Sequence, residues 1–349
     1  MGNRANVVVG ILAANNRLGK RALSQYSPYS PNGVKLFSFT ASSIDWNRRR
    51  ITGLHRSRGR WAVSRFPYPK VVYNRHYGIG QETIGRLSAA IGSRNIINSI
   101  NRFDKLDIDL MLRDSIGDRL PETASYDEDA LIRMLDRHRV VYLKPRFGHR
   151  GLGVFRAELA PSGEIRFGHH YYAPLAVIGD AARFREGLEL LIGTEPYLIQ
   201  AGIPIVQAGG SIFDLRALVQ KGRDGAWSVT NVVSRIACEG SYNTSIYERV
   251  SASRELLERL YTPTRAQAIL TAIGEISLAV AQRLDADPRY QLGEFSVDYA
   301  LDGNGHPWII ELNGMPQKEL YEGIGSRREA YRRPLEYARY LAGDNPLRR

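Results

Sequence analysis

An α/β chain built of two or three units is the fold class that this sequence predicts, and three observations carry it. The apolar run over residues 6–13, followed by Val34-Lys-Leu-Phe-Ser-Phe and Val71-Val-Tyr-Asn, makes a βα-like opening, the mark of a small doubly wound unit ending near residue 95. Beyond it, strand-like runs are interleaved with stretches whose apolar residues recur at helical spacing. The chain has 349 residues, which is too long for one small core.

In chain order, Gln25–Gly33 reads as a turn-rich loop, and Pro67 and Pro69 mark a second loop before the strand at Val71. A break falls around Asn95–Asp109, and Leu120–Ser125 reads as a connection. Ser125 and Glu128 fit a capping box, after which Leu131, Met134, Leu135 and His138 recur at helical spacing. Val140–Lys144 is a strand stopped by Pro145, and Tyr197–Gln200 is another, ending at Ala201-Gly202. Phe213–Gln220 and Trp227–Ala237 alternate as strands. A long helix is predicted from Thr264 to Leu284, with Ile269, Ile273, Ile276, Val280 and Leu284 as its core stripe. Asp302-Gly-Asn-Gly305 then joins two apolar runs as a hairpin turn, because Gly and Asn accept positive φ cheaply.

Lys plus Arg exceed Asp plus Glu by 48 − 36 = 12, a field that attracts anions such as nucleotides or acidic small molecules. The densest clusters, Arg48-Arg49-Arg50, Arg56-Ser-Arg58-Gly-Arg60 and Arg327-Arg328, read as solvated basic surface. No helix-turn-helix, zinc-finger spacing or aromatic-basic ribonucleoprotein motif is present, so specific nucleic-acid binding is not expected. No apolar run approaches the ~20 residues of a membrane span, and the N-terminus reads as a first strand, neither a signal peptide nor, with Asn6 in place of Ser or Thr, a myristoylation site. Cys238 is the single cysteine; it excludes an internal disulfide and is read as a small buried hydrophobe, with a catalytic nucleophile as the alternative. A cytoplasmic protein is expected.

The chemistry gathers near the C-terminal hairpin. Folding it returns Asp298 to the side of Glu311 and Asn313, and the latter two share a strand face. Three hard oxygen ligands suit Mg²⁺, which takes a few protein oxygens together with substrate phosphates and water. Upstream, Lys144-Pro-Arg-Phe-Gly148-His-Arg150-Gly151-Leu-Gly153 is a strand, a glycine-rich turn and another strand. Its glycines let successive N–H groups form a nest for phosphate oxygens, with Lys144, Arg146, His149 and Arg150 adding positive charge. It is neither a Walker loop nor a dinucleotide fingerprint, because Gly-Lys-Ser/Thr is missing and the turn lies between strands. With no buried anchor at its tip, the turn is expected to be mobile without nucleotide. Arg216 and Arg235 lie on later strands where they can meet a phosphate, and Asn243 follows in what reads as an exposed polar loop. Simpler roles stay open: a polar strand end for the oxygen trio, a tight turn for the glycines, an Asp214–Arg216 ion pair, and a solvent-facing hairpin for Asn243.

In this order, Lys105, Lys144-Pro with its glycine hairpin, Gln200, Asp214-x-Arg216, Asp298 and Glu311-x-Asn313 resemble the ATP-grasp superfamily. Val72-Tyr-Asn-Arg75, Asp104-Lys-Leu106, Leu120-Pro-Glu-Thr123, Phe213–Gln220 and Trp308–Asn313 look most like its YheC/YheD branch, described as endospore-coat-associated, with the likeness spanning roughly residues 70–320. The resemblance implies an ATP-grasp fold, with two α+β subdomains clasping ATP behind a small doubly wound N-terminal domain. The expected boundaries are 1–98 for the N-terminal domain, 99–200 for the linker and lid subdomain, and 201–349 for the subdomain with the metal site. It also implies roles. Lys105 and Lys144 would contact ATP phosphates under a lid of Gly148, Gly151 and Gly153. Gln200, Ala201 and Ile203 would lie near adenine. Arg216 and Arg235 would neutralise the transferred phosphoryl group, and Asp298, Glu311 and Asn313 would hold one or two Mg²⁺. Asn243 and Arg150 are expected toward the substrate. The implied reaction is ATP-dependent joining of a carboxylate to an amine or thiol through an acyl phosphate, with a small acidic or amino-acid-like substrate and a homodimer as expected partners. A small-molecule kinase and a non-catalytic spore-layer protein that retains nucleotide binding are the alternatives. Two departures stand out: His149-Arg150 in the lid where small residues are common, and Gly314-Met315 where Ser or Thr usually precedes the proline.

Overall fold

The computed structural model describes residues 7–343. The expected strand start at Asn6, the Met1–Asn6 stretch and residues 344–349 lie outside the described residues. Three sheets organise the chain. In the first unit, strands β1 (Val7–Leu12), β2 (Val34–Phe39), β6 (Val71–Asn74) and β7 (Ile96–Ile97) run parallel in the order β2-β1-β6-β7. Helix α1 (Asn16–Tyr26) packs on one face and α2 (Gln81–Ile91) on the other, which is the doubly wound arrangement expected. The predicted loop at Gln25 begins two residues later than expected, because Leu23 and Tyr26 are buried and carry α1 forward. The arginine-rich stretch 48–67 is not featureless surface. A short β3 (Ile44–Asp45) leads into a hairpin of β4 (Arg50–Ser57) and β5 (Arg60–Pro67), which extends the sheet antiparallel beyond β2.

The expected break at 95–109 runs into helix α3 (Lys105–Ile116), whose first residues it includes. Asp104 caps it by accepting from the Leu106 and Asp107 amides, and Leu106, Ile108 and Leu112 bury its inner face. The stretch read as a connection holds β8 (Thr123–Ser125), an edge strand beside β13. Helix α4 (Glu128–His138) follows, and its N-cap is Asp127, not Ser125: the Asp127 carboxylate accepts from the Ala130 amide at 2.7 Å. The second sheet is wholly antiparallel, in the order β12-β11-β10-β9-β13-β8. It comprises β9 (Val140–Pro145), β10 (Phe155–Leu159), β11 (Ile165–His169), β12 (Ala176–Ile178) and β13 (Tyr197–Ala201). α4 and α5 (Ala181–Ile192) cover one face through Leu131, Leu135, Phe184 and Leu188.

The third sheet, also antiparallel, has the order β17-β16-β15-β18-β19, with the short β14 (Gln207–Ala208) beside β15. Its strands are β15 (Ser211–Lys221), β16 (Trp227–Ala237), β17 (Tyr247–Ala252), β18 (Glu294–Leu301) and β19 (Pro307–Asn313). One face, with Leu215, Ala217, Val297 and Tyr299, packs on α3, α6 (Ser253–Leu260) and α7 (Pro263–Ala286). The predicted stripe Ile269, Ile273, Ile276, Val280 and Leu284 is buried there. Alternation sends Asp214, Arg216 and Asp298 to the opposite face. The last helix, α8 (Arg327–Leu341), returns to the first unit, where Tyr331, Leu335 and Ala338 join the core of β1 and β6. Cys238 is half-buried just beyond β16. Among the described residues no helix is long and apolar enough to cross a membrane.

Candidate active site

A cleft of about 660 Å³ opens between the three sheets. Of the expected site residues, Lys105, Lys144, Gly148, Arg150, Gly151, Gln200, Ala201 and Ile203 line it from the lid side. Arg216, Arg235, Asn243, Asp298, Glu311 and Asn313 line it from the third sheet. Gly153 stands behind the lining at the shoulder of the glycine turn.

Register explains how the charged groups meet. Arg216 on β15 lies directly opposite Asp298 on β18, and Asp298 opposite Glu311 on β19. A row of charge therefore crosses three adjacent strands on one sheet face. A β-bulge after Asp298 shifts the register so that Tyr299 faces Ile309, which keeps Glu311 and Asn313 on the cleft side while the apolar residues stay in the core. Asp214 lies opposite Arg235 on β16.

The ion pairing differs from the Asp214–Arg216 pair that the sequence left open as a simpler role. Arg216 donates to Asp298 from Nε and Nη2, both at 2.6 Å, and Arg235 Nη2 reaches the same carboxylate at 3.0 Å. Asp214 instead accepts from Arg235 and from the Thr244 hydroxyl. Same-strand neighbours two residues apart are farther from one another than directly paired cross-strand residues, so the cross-strand partners win. All four groups are at most 7 % exposed. Burial pushes the Asp298 carboxyl up, but Arg216 and Arg235 outweigh it and hold the group below the usual carboxylate range. Burial likewise opposes the Arg216 charge, and Asp298 more than restores it.

Lys144 sits on β9 with its ammonium donating to Gln200 Oε1 on β13. Burial lowers its pKa to about 8, with Lys105 adding to the effect and Glu311 opposing it. Lys105, at the start of α3, donates to the carbonyls of Pro145 and Gly148 and lies 3.5 Å from Glu311.

The glycine turn is fastened at both shoulders, whereas the expectation concerned an anchor at its tip. Tyr77 of the first unit donates to Gly148 O, Tyr197 to Gly153 O and Tyr242 to Val154 O. Tyr77 also packs on His149, with ring centroids 5.0 Å apart. Gly151 and Gly153 have φ of +68° and +70°. A Cβ at Gly153 would lie 2.7 Å from the Tyr197 hydroxyl, and one at Gly151 2.6 Å from Ser245 Oγ, so side chains are excluded at both. The amides of His149, Arg150, Gly151 and Gly153 have no acceptor among the described residues.

The segment around Asn243 is not an exposed loop. Ser241 and Tyr242 are buried, and the Tyr242 amide donates to His170 O beside the glycine turn. Packing against β11 and the glycine turn accounts for this, and the polar sequence Gly-Ser-Tyr-Asn-Thr-Ser gives no sign of it. Thr244, Tyr77 and Arg75 also line the cleft and were not singled out for roles in the sequence. Arg75 extends the cleft toward α1, where it contacts the Pro316 carbonyl and Glu294.

The architecture can be compared with known proteins. Over 97% of this chain and 99% of the other, it superposes on the VanG D-Ala:D-Ser ligase from Enterococcus faecalis with a TM-score of 0.59 and 12% identity. The N5-carboxyaminoimidazole synthetase from Staphylococcus aureus complexed with ADP matches with a TM-score of 0.55 and 11% identity, over 94% of this chain and 76% of that one. These likenesses establish the ATP-grasp fold. In sequence, the chain is 24% identical over 326 residues, 89% of its length, to the endospore coat-associated protein YheD of Bacillus subtilis (strain 168), covering 71% of that protein. Residues 94–341 match the family described as YheC/D like ATP-grasp, and the chain belongs to that family.

Proposed function

We propose that this protein is an ATP- and Mg²⁺-dependent ligase that joins a carboxylate to an amine or thiol through an acyl phosphate. The observation that carries the reading is the meeting of Lys105, Lys144, Arg216 and Arg235 with the carboxylates of Asp298 and Glu311 in one cleft beneath a glycine turn. The unpaired amides of that turn suit phosphate oxygens. The S. aureus synthetase of the same fold carries ADP, which supports placing a nucleotide here.

In this reading Lys105 and Lys144 hold the phosphates from the lid side, and Gln200, Ala201 and Ile203 border the adenine. Among the described residues no group of three or more His, Cys, Asp or Glu is placed to hold a metal on its own. Two carboxylates and an amide nonetheless fit Mg²⁺, which needs only one or two carboxylates when phosphates complete its shell. Asp298, Glu311 and Asn313 would hold it, and it would offset charge on the β- and γ-phosphates. The substrate carboxylate attacks the γ-phosphorus, ADP leaves, and the amine or thiol then attacks the acyl carbon and expels phosphate. Arg216 and Arg235 remain charged across the accessible pH range and offset the charge on the phosphoryl oxygens in both steps. Their bidentate carboxylate partners fix the guanidinium planes beforehand, so that little reorganisation accompanies the transfer. Asn243 and Arg150 border the space left for the substrate.

Mg·ATP should raise the melting temperature, and ADP should be released when carboxylates and amines are supplied. Transfer of ¹⁸O from a labelled carboxylate into released phosphate marks a ligase, whereas a hydroxyl kinase leaves the label in place. Absence of thermal stabilisation at millimolar Mg·ATP refutes the nucleotide site itself.

A further inference from the structure

Seven arginines lie between Trp46 and Pro67, and none of them lines the cleft. No acidic residue occurs between Asp45 and Glu82. The arginines fall on the β3–β4 turn and on the β4–β5 hairpin. Arg50, Arg58, Arg60 and Arg65 are exposed and have no carboxylate partner among the described residues. Arg48 meets Asp45 only across an exposed 3.5 Å contact. β5 pairs with β4 along its whole length, from Arg60 opposite Ser57 to Pro67 opposite Arg50, and no other strand covers its outer edge among the described residues.

A free strand edge presents unsatisfied backbone donors and acceptors and is a template for another strand. Positive charge along that edge repels a second copy of itself and favours a strand of opposite charge. We propose that the β4–β5 hairpin is a docking site for an extended acidic polypeptide segment, which adds as a strand beside β5 while its carboxylates meet the arginines.

Three features favour a peptide over other anionic partners. First, an added peptide strand satisfies the β5 backbone, which a nucleic acid does not. Second, the aromatic faces that could stack bases are already occupied. Arg56 lies over Trp61, Arg86 over Trp46 and Arg49 over Tyr68, with guanidinium-to-ring distances of 5.6, 4.0 and 5.2 Å. Third, the hairpin tip, Ser57-Arg58-Gly59-Arg60, has no apolar side chain to enter a bilayer. The choice of arginine also fits, since guanidinium forks pair with carboxylates bidentately.

The test uses the full chain and a labelled peptide of about twelve residues alternating Glu with Thr, followed by fluorescence anisotropy at low salt, where surface charge is least screened. The probes set against it are the same peptide with Pro in place of Thr, a single-stranded oligonucleotide of equal charge, and phosphatidylglycerol vesicles. The Glu-Thr peptide should bind and slow amide exchange in β5. The Arg50→Gln, Arg58→Gln, Arg60→Gln, Arg65→Gln variant should lose roughly tenfold or more in affinity. Arg327→Gln with Arg328→Gln, which neutralises exposed arginines on α8, should bind as the parent does. The proposal is overturned by no binding of the Glu-Thr peptide or by an unchanged affinity in the fourfold variant. Equal binding of the proline peptide, or tighter binding of the oligonucleotide or vesicles, overturns it as well. Nucleotide binding is unaffected by any of these outcomes, so the site in the cleft and the hairpin stand or fall separately.

Discussion

Replacing Asp298 by Ala removes the group on which both buried guanidiniums converge. Asp298 is 5 % exposed and is the sole carboxylate bonded to Arg216 among the described residues, whereas Arg235 retains Asp214. The variant therefore leaves one buried cation without a counter-charge, a change that costs about 3–5 kcal/mol. At ~2–4 °C per kcal/mol, the range for a chain somewhat smaller than this one, the melting temperature should fall by roughly 6–20 °C. Urea unfolding of Asp298→Ala, Asp298→Leu, Arg216→Met and the double variant Arg216→Met/Asp298→Leu supplies the assay. Removing both charges in favour of apolar side chains leaves no orphan, so the double variant should be more stable than Asp298→Ala alone. Inorganic phosphate should also stabilise Asp298→Ala more than it stabilises the parent, since the freed guanidinium becomes an anion site. A loss below about 1 kcal/mol in Asp298→Ala, or a double variant whose loss equals the sum of its single changes, would refute the assignment of this pair as a mutually dependent unit.

Other expectations follow from the same structure. Burial raises the Glu294 carboxyl, but Lys318 and Arg75 outweigh it and bring it below its usual range. Its stabilising contribution is thus present above the unfolded carboxylate pKa and is lost as pH falls through the folded one. Thermal unfolding followed from pH 6 downward should show this loss below about pH 4.5, with a flatter profile in Glu294→Gln. For Lys144, lowered to about 8 by burial, nucleotide affinity should weaken as pH rises through 8 and the ammonium deprotonates. Calorimetric titration of Lys144→Met with Mg·ADP should show roughly tenfold weaker binding and no such pH dependence. Gly153→Ala forces a Cβ against Tyr197 and Pro145 at a φ of +70°, so urea unfolding should show a loss of more than about 1 kcal/mol.

Much was legible in the sequence because local chemistry imposes it. The stripe of α7 has a helical period that only one face can bury, and Asp302-Gly-Asn-Gly305 turns the chain between β18 and β19 wherever the pair is placed. The glycine turn was readable for the same reason, since the positive φ found at Gly151 and Gly153 is one that glycine reaches at little cost. Other features depended on partners distant in sequence. Helix α3 was missed because its amphipathic pattern is weak and its apolar face is defined only by α7 and the third sheet. The segment around Asn243 reads as polar loop until β11 and the glycine turn pack on it. The residue types alone supplied the cations and carboxylates of the cleft and the arginines of the hairpin. Tertiary structure alone decided that Arg216 pairs with Asp298 and Arg235 with Asp214, because strand register sets which side chains stand opposite one another, and register is fixed by cores assembled from residues tens of positions apart.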